Sequence, residues 1–169
     1  MSDANISANF SPEDWALVRS SPLLAGLLVT LSDLRTGPIG ILKESFAPSQ
    51  AIIEAGEGAA NPIVASIVAS IKESAKKGER LKPPFEVSGK TPEQLKADVA
   101  ATLKRVPAIL EGKVPPEQVA EFKRWLVTIA DKVANAGKEG GFFGFGGERV
   151  SAAESTAIKE LASTLGVQA

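Results

Sequence analysis

Three reactive residue types are missing from this chain of 169 residues, which has no cysteine, no histidine and no tyrosine. The absence of cysteine excludes disulfides, thiolate nucleophiles, iron–sulfur clusters and cysteine zinc sites. The absence of histidine excludes Ser-His-Asp and Cys-His catalysis and most transition-metal sites. The remaining chemistry is that of carboxylates, lysine, arginine and hydroxyl groups. We therefore expect a protein that is not an enzyme and that holds no metal and no cofactor.

An excess of either charge is also missing, since 19 basic and 20 acidic side chains give a net charge of −1. Binding to nucleic acid requires a clear basic excess, because phosphate contacts supply most of the affinity. No nucleic-acid partner is therefore expected. The basic run Lys72, Lys76, Lys77, Arg80 and Lys82 is interpreted as a solvated helix end, because cations stabilise a helix C-terminus. A phosphate-rich partner is the alternative.

Long hydrophobic runs are few. The most apolar early stretch, residues 23–31, covers only nine positions, whereas about 20 are needed to span a bilayer. The first residues are MSDANISANFSPEDW, which have an acid where a signal peptide has basic residues and no apolar segment before Trp15. The chain is therefore predicted to be a soluble cytoplasmic protein.

Helix starts are the strongest signal in the sequence. Proline repeatedly follows a residue that caps helices, as in Ser11-Pro12, Asn61-Pro62 and Thr91-Pro92. Two stretches, TPEQ at residues 91–94 and SAAE at residues 151–154, have the spacing of a capping box. Apolar residues then recur at helical spacing, and no stretch alternates with the period of a strand. We predict an all-α fold, a bundle of about six or more helices.

Three prolines fall inside the apolar helical patterns. Pro22 predicts that the first segment forms two helices or one kinked helix, and Pro48 divides the segment that ends near Gly56. Pro107 is expected to bend or end the helix that begins at Thr91. The longest helix is predicted to begin at Pro115-Pro116 and to run to about Gly137.

The clearest connection is GERLKPPFEVSGK, residues 78–90, because two adjacent prolines and two glycines oppose regular structure. One helical domain over residues 1–169 is the main interpretation. The alternative is a division into residues 1–82 and 91–169, joined by the 83–90 connection.

A second connection, GGFFGFGG at residues 140–147, has the glycine content of a phosphate-binding loop but not its spacing. A dinucleotide fingerprint that starts at Gly144 would place its third glycine at Arg149, and the preceding element is a helix. A P-loop would need Gly-Lys-Ser or Gly-Lys-Thr where this chain has Gly147-Glu148-Arg149. Nucleotide binding is therefore not expected here.

The three rings of this connection are its main energetic feature, since burying a phenylalanine stabilises a fold by roughly 1.5–3 kcal/mol. The favoured interpretation places the rings between helices, and the alternative is an exposed tip that meets a partner or a membrane. Trp125 flanks the apolar face of the longest helix, where a residue can cover a crevice or a subunit contact. The candidate interaction residues are accordingly Phe142, Phe143, Phe145, Trp125, Glu148 and Arg149.

No motif specifies a biochemical activity. The leading hypothesis is a non-enzymatic helical protein that acts through protein–protein binding or self-assembly as a homo-oligomer, with aromatic anchors and a charged rim. The first alternative is membrane-surface association through the Phe/Gly connection. The second is small-molecule binding, or lysine- and glutamate-based catalysis, in a crevice between helices.

Overall fold

The computed structural model of the protein describes residues 6–32, 48–139 and 151–169. A short 3-10 helix, Ile6–Asn9, precedes the first α-helix. The α-helices of the described residues are α1 (Pro12–Ser32), α2 (Pro48–Gly56), α3 (Pro62–Lys76), α4 (Pro92–Leu110), α5 (Pro116–Glu139) and α6 (Ala152–Leu165). None of the three described ranges contains a β-strand. The predicted all-α fold is confirmed.

The helices begin where the caps are. The Asn61 side chain accepts hydrogen bonds from the first backbone N–H groups of α3, and Thr91 and Ser151 form complete capping boxes at the starts of α4 and α6. At α1, the Ser11 hydroxyl accepts from the Asp14 N–H at 3.1 Å. These caps depend on side chains two or three positions away from the amides they satisfy, which is why the sequence alone predicted them.

Pro22 lies inside α1 without dividing it. Proline has no N–H, so the carbonyl of Val18, four residues earlier, loses its normal helical donor. The hydroxyl of the buried Ser21 donates to that carbonyl at 2.7 Å and replaces the missing bond. The two alternatives for this segment are therefore resolved in favour of one helix, 21 residues long.

α1 is the central helix, and it packs against α2, α4, α5 and α6. Its residues from Ser20 to Val29 are all buried, as expected of a helix that is apolar on every side. Because the helix continues through Pro22, its apolar stretch is longer than the nine positions expected from sequence. α1 is long and apolar enough to cross a bilayer, yet 67% of its most apolar window is buried inside the fold. Its packing against neighbouring helices accounts for that composition.

Pro107 does not end α4, which continues to Leu110. Of the two predicted alternatives, a bend or an end at Pro107, the end is wrong, and the reason is tertiary. Val106 and Leu110 on either side of the proline are both fully buried in the core, so the apolar face continues across it. Packing of this face outweighs the one lost backbone hydrogen bond.

One cluster of buried side chains includes residues of all six α-helices, from Leu24 in α1 to Leu161 in α6. The 77–91 connection runs over its surface, where Leu81, Phe85 and Val87 pack against the cluster. Both halves of the chain thus contribute to the same apolar core. The alternative division of the chain at residues 83–90 stays a prediction.

Gly56, at the end of α2, provides a test of this packing. A Cβ atom at this position would lie 2.6 Å from Val68 Cγ2 and 2.9 Å from Val64 Cγ1, closer than carbon atoms approach. Gly56→Ala is expected to lower the free energy of unfolding by about 1–3 kcal/mol, because the stiff valines of α3 must move. Urea denaturation measures this change.

The matched control is Val68→Ala, which removes the methyl group that the new Cβ would meet. Introduced into that background, Gly56→Ala is expected to have a clearly smaller effect than in the native chain. Strictly additive effects would contradict the proposed contact.

Candidate functional site

Most of the candidate interaction residues lie outside the described ranges. Phe142, Phe143, Phe145, Glu148 and Arg149 all belong to the segment between the end of α5 and the cap of α6. Their role in protein–protein binding, self-association or membrane contact stays a prediction.

Trp125 is the candidate that the structure describes. It lies inside the bundle with 9% of its surface exposed, and its ring centroid is 5.8 Å from that of Phe122. Its Cζ2 would be 3.1 Å from a Cβ at Gly56, so α2 closes over the ring. The indole N–H is buried and has no hydrogen-bond partner within residues 6–32, 48–139 and 151–169. These contacts make Trp125 part of the core between α2 and α5, and its part in an interaction stays a prediction.

The structure has a cavity of about 240 Å³ with both polar and apolar lining, which we call the Arg19 cavity. It lies between α1, the last turn of α3 and the segment 79–84 that follows. Its polar lining consists of Arg19, Ser20, Ser74, Glu79, Arg80 and Lys82. Ala16, Leu81 and Pro84 supply the apolar part.

The end of α3 sets the shape of this cavity. Gly78 has a left-handed backbone with φ of +72°, which glycine adopts without a Cβ clash. The N–H of Glu79 then bonds the carbonyl of Ser74 at 2.9 Å, and the N–H of Gly78 bonds that of Ala75 at 3.1 Å. This pair of bonds is a Schellman motif. It ends the helix and turns the following residues back toward α1, so that Arg80 and Lys82 line the same cavity as Arg19.

The far end of the connection is held by α4. The Lys90 ammonium pairs with Asp98 of α4 and lies 5.5 Å from the ring centroid of Phe85. This pairing holds the end of the connection near α4. The apolar contacts of Leu81 and Val87 with the core hold the rest of it in place. The wall of the cavity is therefore a positioned segment of chain.

Arg19 projects from α1 and connects the two helices that form the cavity. Its Nη2 donates to Ser74 Oγ at 2.8 Å, across 55 residues of sequence. Its Nε is buried and has no hydrogen-bond partner among the residues that the structure describes. Because this Nε has no accessible surface, it is not open to a ligand in the cavity, and the part of the guanidinium that the structure positions is Nη2 on Ser74.

The two serines add oxygen atoms with different capacities. Ser74 Oγ accepts from Arg19, so its own O–H is available to donate to an acceptor in the cavity. The Ser20 hydroxyl donates to the Leu17 carbonyl at 3.1 Å, and its oxygen keeps the capacity to accept. Ser74 has an arginine rather than a general base as its partner, so nothing here activates it as a nucleophile.

Four of the five cations of the basic run divide into two groups, and the fifth, Lys76, is exposed and does not line the cavity. Lys72 pairs with Glu57 at 3.0 Å and Lys77 with Glu73 at 2.9 Å. The Lys77 hydrogen bond and charge hold the pKa of the exposed Glu73 carboxyl below its ordinary value. Such exposed pairs are neutralised within the helix surface and contribute little to stability.

Arg80 and Lys82 form the second group, exposed at the cavity. Within the part of the chain that the structure describes, neither forms an ion pair. Glu79 is the one carboxylate in the lining, and it too lies beyond ion-pair distance of every described cation. The cations of the cavity are therefore not neutralised by the described residues, and the lining has a positive excess.

The sequence pointed to only part of this site, the residues Arg80 and Lys82 of the basic run. All of that run was interpreted as a solvated helix end, and Arg19 was not singled out. No local signal marks Arg19, which is an ordinary polar position in an amphipathic helical turn. Its significance comes from Ser74 and the 79–84 segment, which only the tertiary fold brings to it.

Among residues 6–32, 48–139 and 151–169, no three acidic side chains come together in a way that could hold a metal ion. No protein-family model, no curated protein and no solved structure matches the chain.

Proposed function

We propose that this protein is a binding protein that takes a small anionic ligand in the Arg19 cavity. The observation that carries the proposal is the Arg19 side chain, which lines the cavity together with Arg80 and Lys82 and is fixed by the 2.8 Å hydrogen bond from its Nη2 to Ser74 Oγ. Guanidinium groups bind carboxylate and phosphate oxygens through a planar fork of donors.

The electrostatics of the lining favour an anion. Arg80 and Lys82 stand beside Arg19 without ion-pair partners among the described residues. Glu79 is the one carboxylate in the lining, and the nearby Glu73, which also interacts with the Arg19 charge, is paired with Lys77. A cleft lined by one sign of charge concentrates ligands of the opposite sign. The negative end of the α3 dipole lies nearby and opposes an anion, but it amounts to about half an elementary charge, and the Schellman bonds occupy two of its carbonyls, those of Ser74 and Ala75.

The size of the cavity limits the ligand. Pockets for drug-sized molecules measure about 300–1,000 Å³, and the Arg19 cavity is smaller at about 240 Å³. The cavity is open to solvent on one side, so its volume limits the group that enters it to a small one. Binding is favoured over catalysis because the lining combines permanent cations and unactivated hydroxyl groups without a paired general base.

Isothermal titration calorimetry with inorganic phosphate, at constant ionic strength, tests this function. The native protein is expected to bind phosphate, and Arg19→Gln is expected to weaken binding by about 10- to 100-fold, the usual contribution of hydrogen bonds to a charged group. The control is Arg105→Gln, which removes the same charge from the exposed face of α4. Circular dichroism verifies that both variants are folded.

Two results would refute the proposal. One is the absence of phosphate binding to the native chain at millimolar concentration. The other is equal weakening by Arg19→Gln and Arg105→Gln, which would assign the effect to net charge rather than to the cavity.

A further inference from the structure

We infer that the Arg19 cavity selects a dianion, and that the class of ligand it takes is a phosphomonoester with a small apolar group. The inference rests on the proposed function and goes one step further, because it assigns the ligand's charge, the shape of its anionic group and the nature of its remainder.

The charge follows from the lining. Three cationic residues, Arg19, Arg80 and Lys82, line the cavity together with one acidic residue, Glu79. The lining therefore has an excess of two positive charges. A phosphomonoester carries about −1.5 to −2 charges at neutral pH, so it matches this excess, whereas a monocarboxylate would leave one cation without a counter-charge.

The shape follows from where the donors originate. Arg19 comes from α1, Ser74 from the last turn of α3, and Arg80 and Lys82 from the segment after it. Donors that approach from three elements suit a tetrahedral group with three strong acceptor oxygens. A planar carboxylate has two oxygens in one plane and meets one guanidinium fork best.

The remainder of the ligand follows from the apolar lining. Ala16 on α1 and Leu81 and Pro84 on the connection add apolar surface beside the cations. A bare phosphate ion would leave this surface in contact with water. An apolar substituent would bury part of it and gain roughly 25 cal/mol per Å², and the cavity volume restricts this substituent to a small group.

A substitution of Glu79 tests the inference by strengthening ligand binding, whereas substitutions of the cations test it by weakening binding. Its backbone N–H is part of the Schellman motif, but its side chain is exposed and lines the cavity without an ion-pair partner among the described residues. A carboxylate in that position repels a dianion more than a monoanion. Glu79→Gln keeps the backbone motif and is expected to strengthen binding of a dianion several-fold.

The experiment compares phenyl phosphate with benzoate by calorimetry at constant ionic strength. The two probes share a ring and differ in the charge and shape of the anionic group. Phenyl phosphate is expected to bind the native protein at least about tenfold more tightly than benzoate, and more tightly than inorganic phosphate. The double variant Arg80→Gln/Lys82→Gln is expected to lose about tenfold or more of the phenyl phosphate affinity. Both positions are exposed, so the fold does not depend on them.

Lys76→Gln is the matched control, because Lys76 belongs to the same basic run and is exposed but does not line the cavity. It is expected to leave phenyl phosphate binding within about twofold, as distant exposed charges are largely screened. Weakening equal to that of the double variant would overturn the inference.

The possible failures are distinguishable. If benzoate binds as tightly as phenyl phosphate while Arg19→Gln weakens both, selection for a dianion is wrong and the proposed anion site stands. If neither probe nor inorganic phosphate binds, the proposed function fails and the inference fails with it. If inorganic phosphate binds as tightly as phenyl phosphate, the apolar part of the assignment is wrong.

Discussion

Replacing Phe122 with alanine is expected to lower the free energy of unfolding by about 3–5 kcal/mol, the usual range for a fully buried phenylalanine. Phe122 is the largest side chain with no exposed surface, and its ring packs against Trp125 at a centroid distance of 5.8 Å. Domains of this size have total stabilities of about 5–15 kcal/mol. The variant should therefore lose a large fraction of its stability, which urea denaturation followed by circular dichroism would measure.

The matched control is Phe85→Ala on the 77–91 connection. Phe85 is only partly buried and packs on the outside of the core, so its removal is expected to have a clearly smaller effect. If Phe122→Ala lowered the free energy of unfolding no more than Phe85→Ala does, this would contradict the burial of the apolar face of α5 in the core of the bundle.

Asn61→Ala is expected to lower the free energy of unfolding by about 2–4 kcal/mol. The Asn61 Oδ1 accepts from the N–H groups of Ile63 and Val64 at 3.0 and 3.3 Å, and both bonds are buried. Its Nδ2 donates to the Gln118 carbonyl at 2.8 Å and connects α3 to α5. Alanine removes the cap and leaves two buried donors without acceptors, and each unmet donor is destabilising by about 1–3 kcal/mol. Thermal and urea denaturation measure the loss.

Two variants separate the contributions of Asn61. Thr91→Ala removes an exposed cap, where water replaces the lost acceptor, and is expected to destabilise by about 1 kcal/mol. Asn61→Ser keeps an oxygen for capping but lacks the amide that reaches α5, so it should fall between alanine and the native residue. If Asn61→Ala and Thr91→Ala lowered the free energy of unfolding equally, the burial of the Asn61 cap would make no contribution to stability.

The helix starts were predictable because their determinants are local. At Thr91 and Ser151, the cap and the residue three positions later exchange hydrogen bonds within one turn, so four consecutive letters contain the whole interaction. The buried face of α3, with Ile63, Ile67 and Ile71, was predictable for a similar reason, since periodicity alone identifies it.

The two internal prolines were harder to interpret because their effect depends on surroundings. Nothing near Pro107 in the sequence indicates that Val106 and Leu110 will be fully buried in one core. At Pro22 a local compensation does exist, the Ser21 hydroxyl on the Val18 carbonyl, but serine precedes proline in many sequences for other reasons. At Pro107 tertiary packing decided that the helix continued, whereas at Pro22 a local hydrogen bond replaces the one that proline removes.

The sequence by itself determined the all-α class, the capped helix starts, the apolar faces and the exclusion of thiol and imidazole chemistry, because each of these depends on composition or on residues within one or two helical turns. Only the tertiary structure decided that α1 lies at the centre of the bundle and that Trp125 is buried between α2 and α5. It also brought Arg19 to Ser74, 55 residues away, and to the two cations of the 79–84 segment. The physical reason is that a cavity depends on contacts between residues distant in the chain, and those contacts form only when the helices pack.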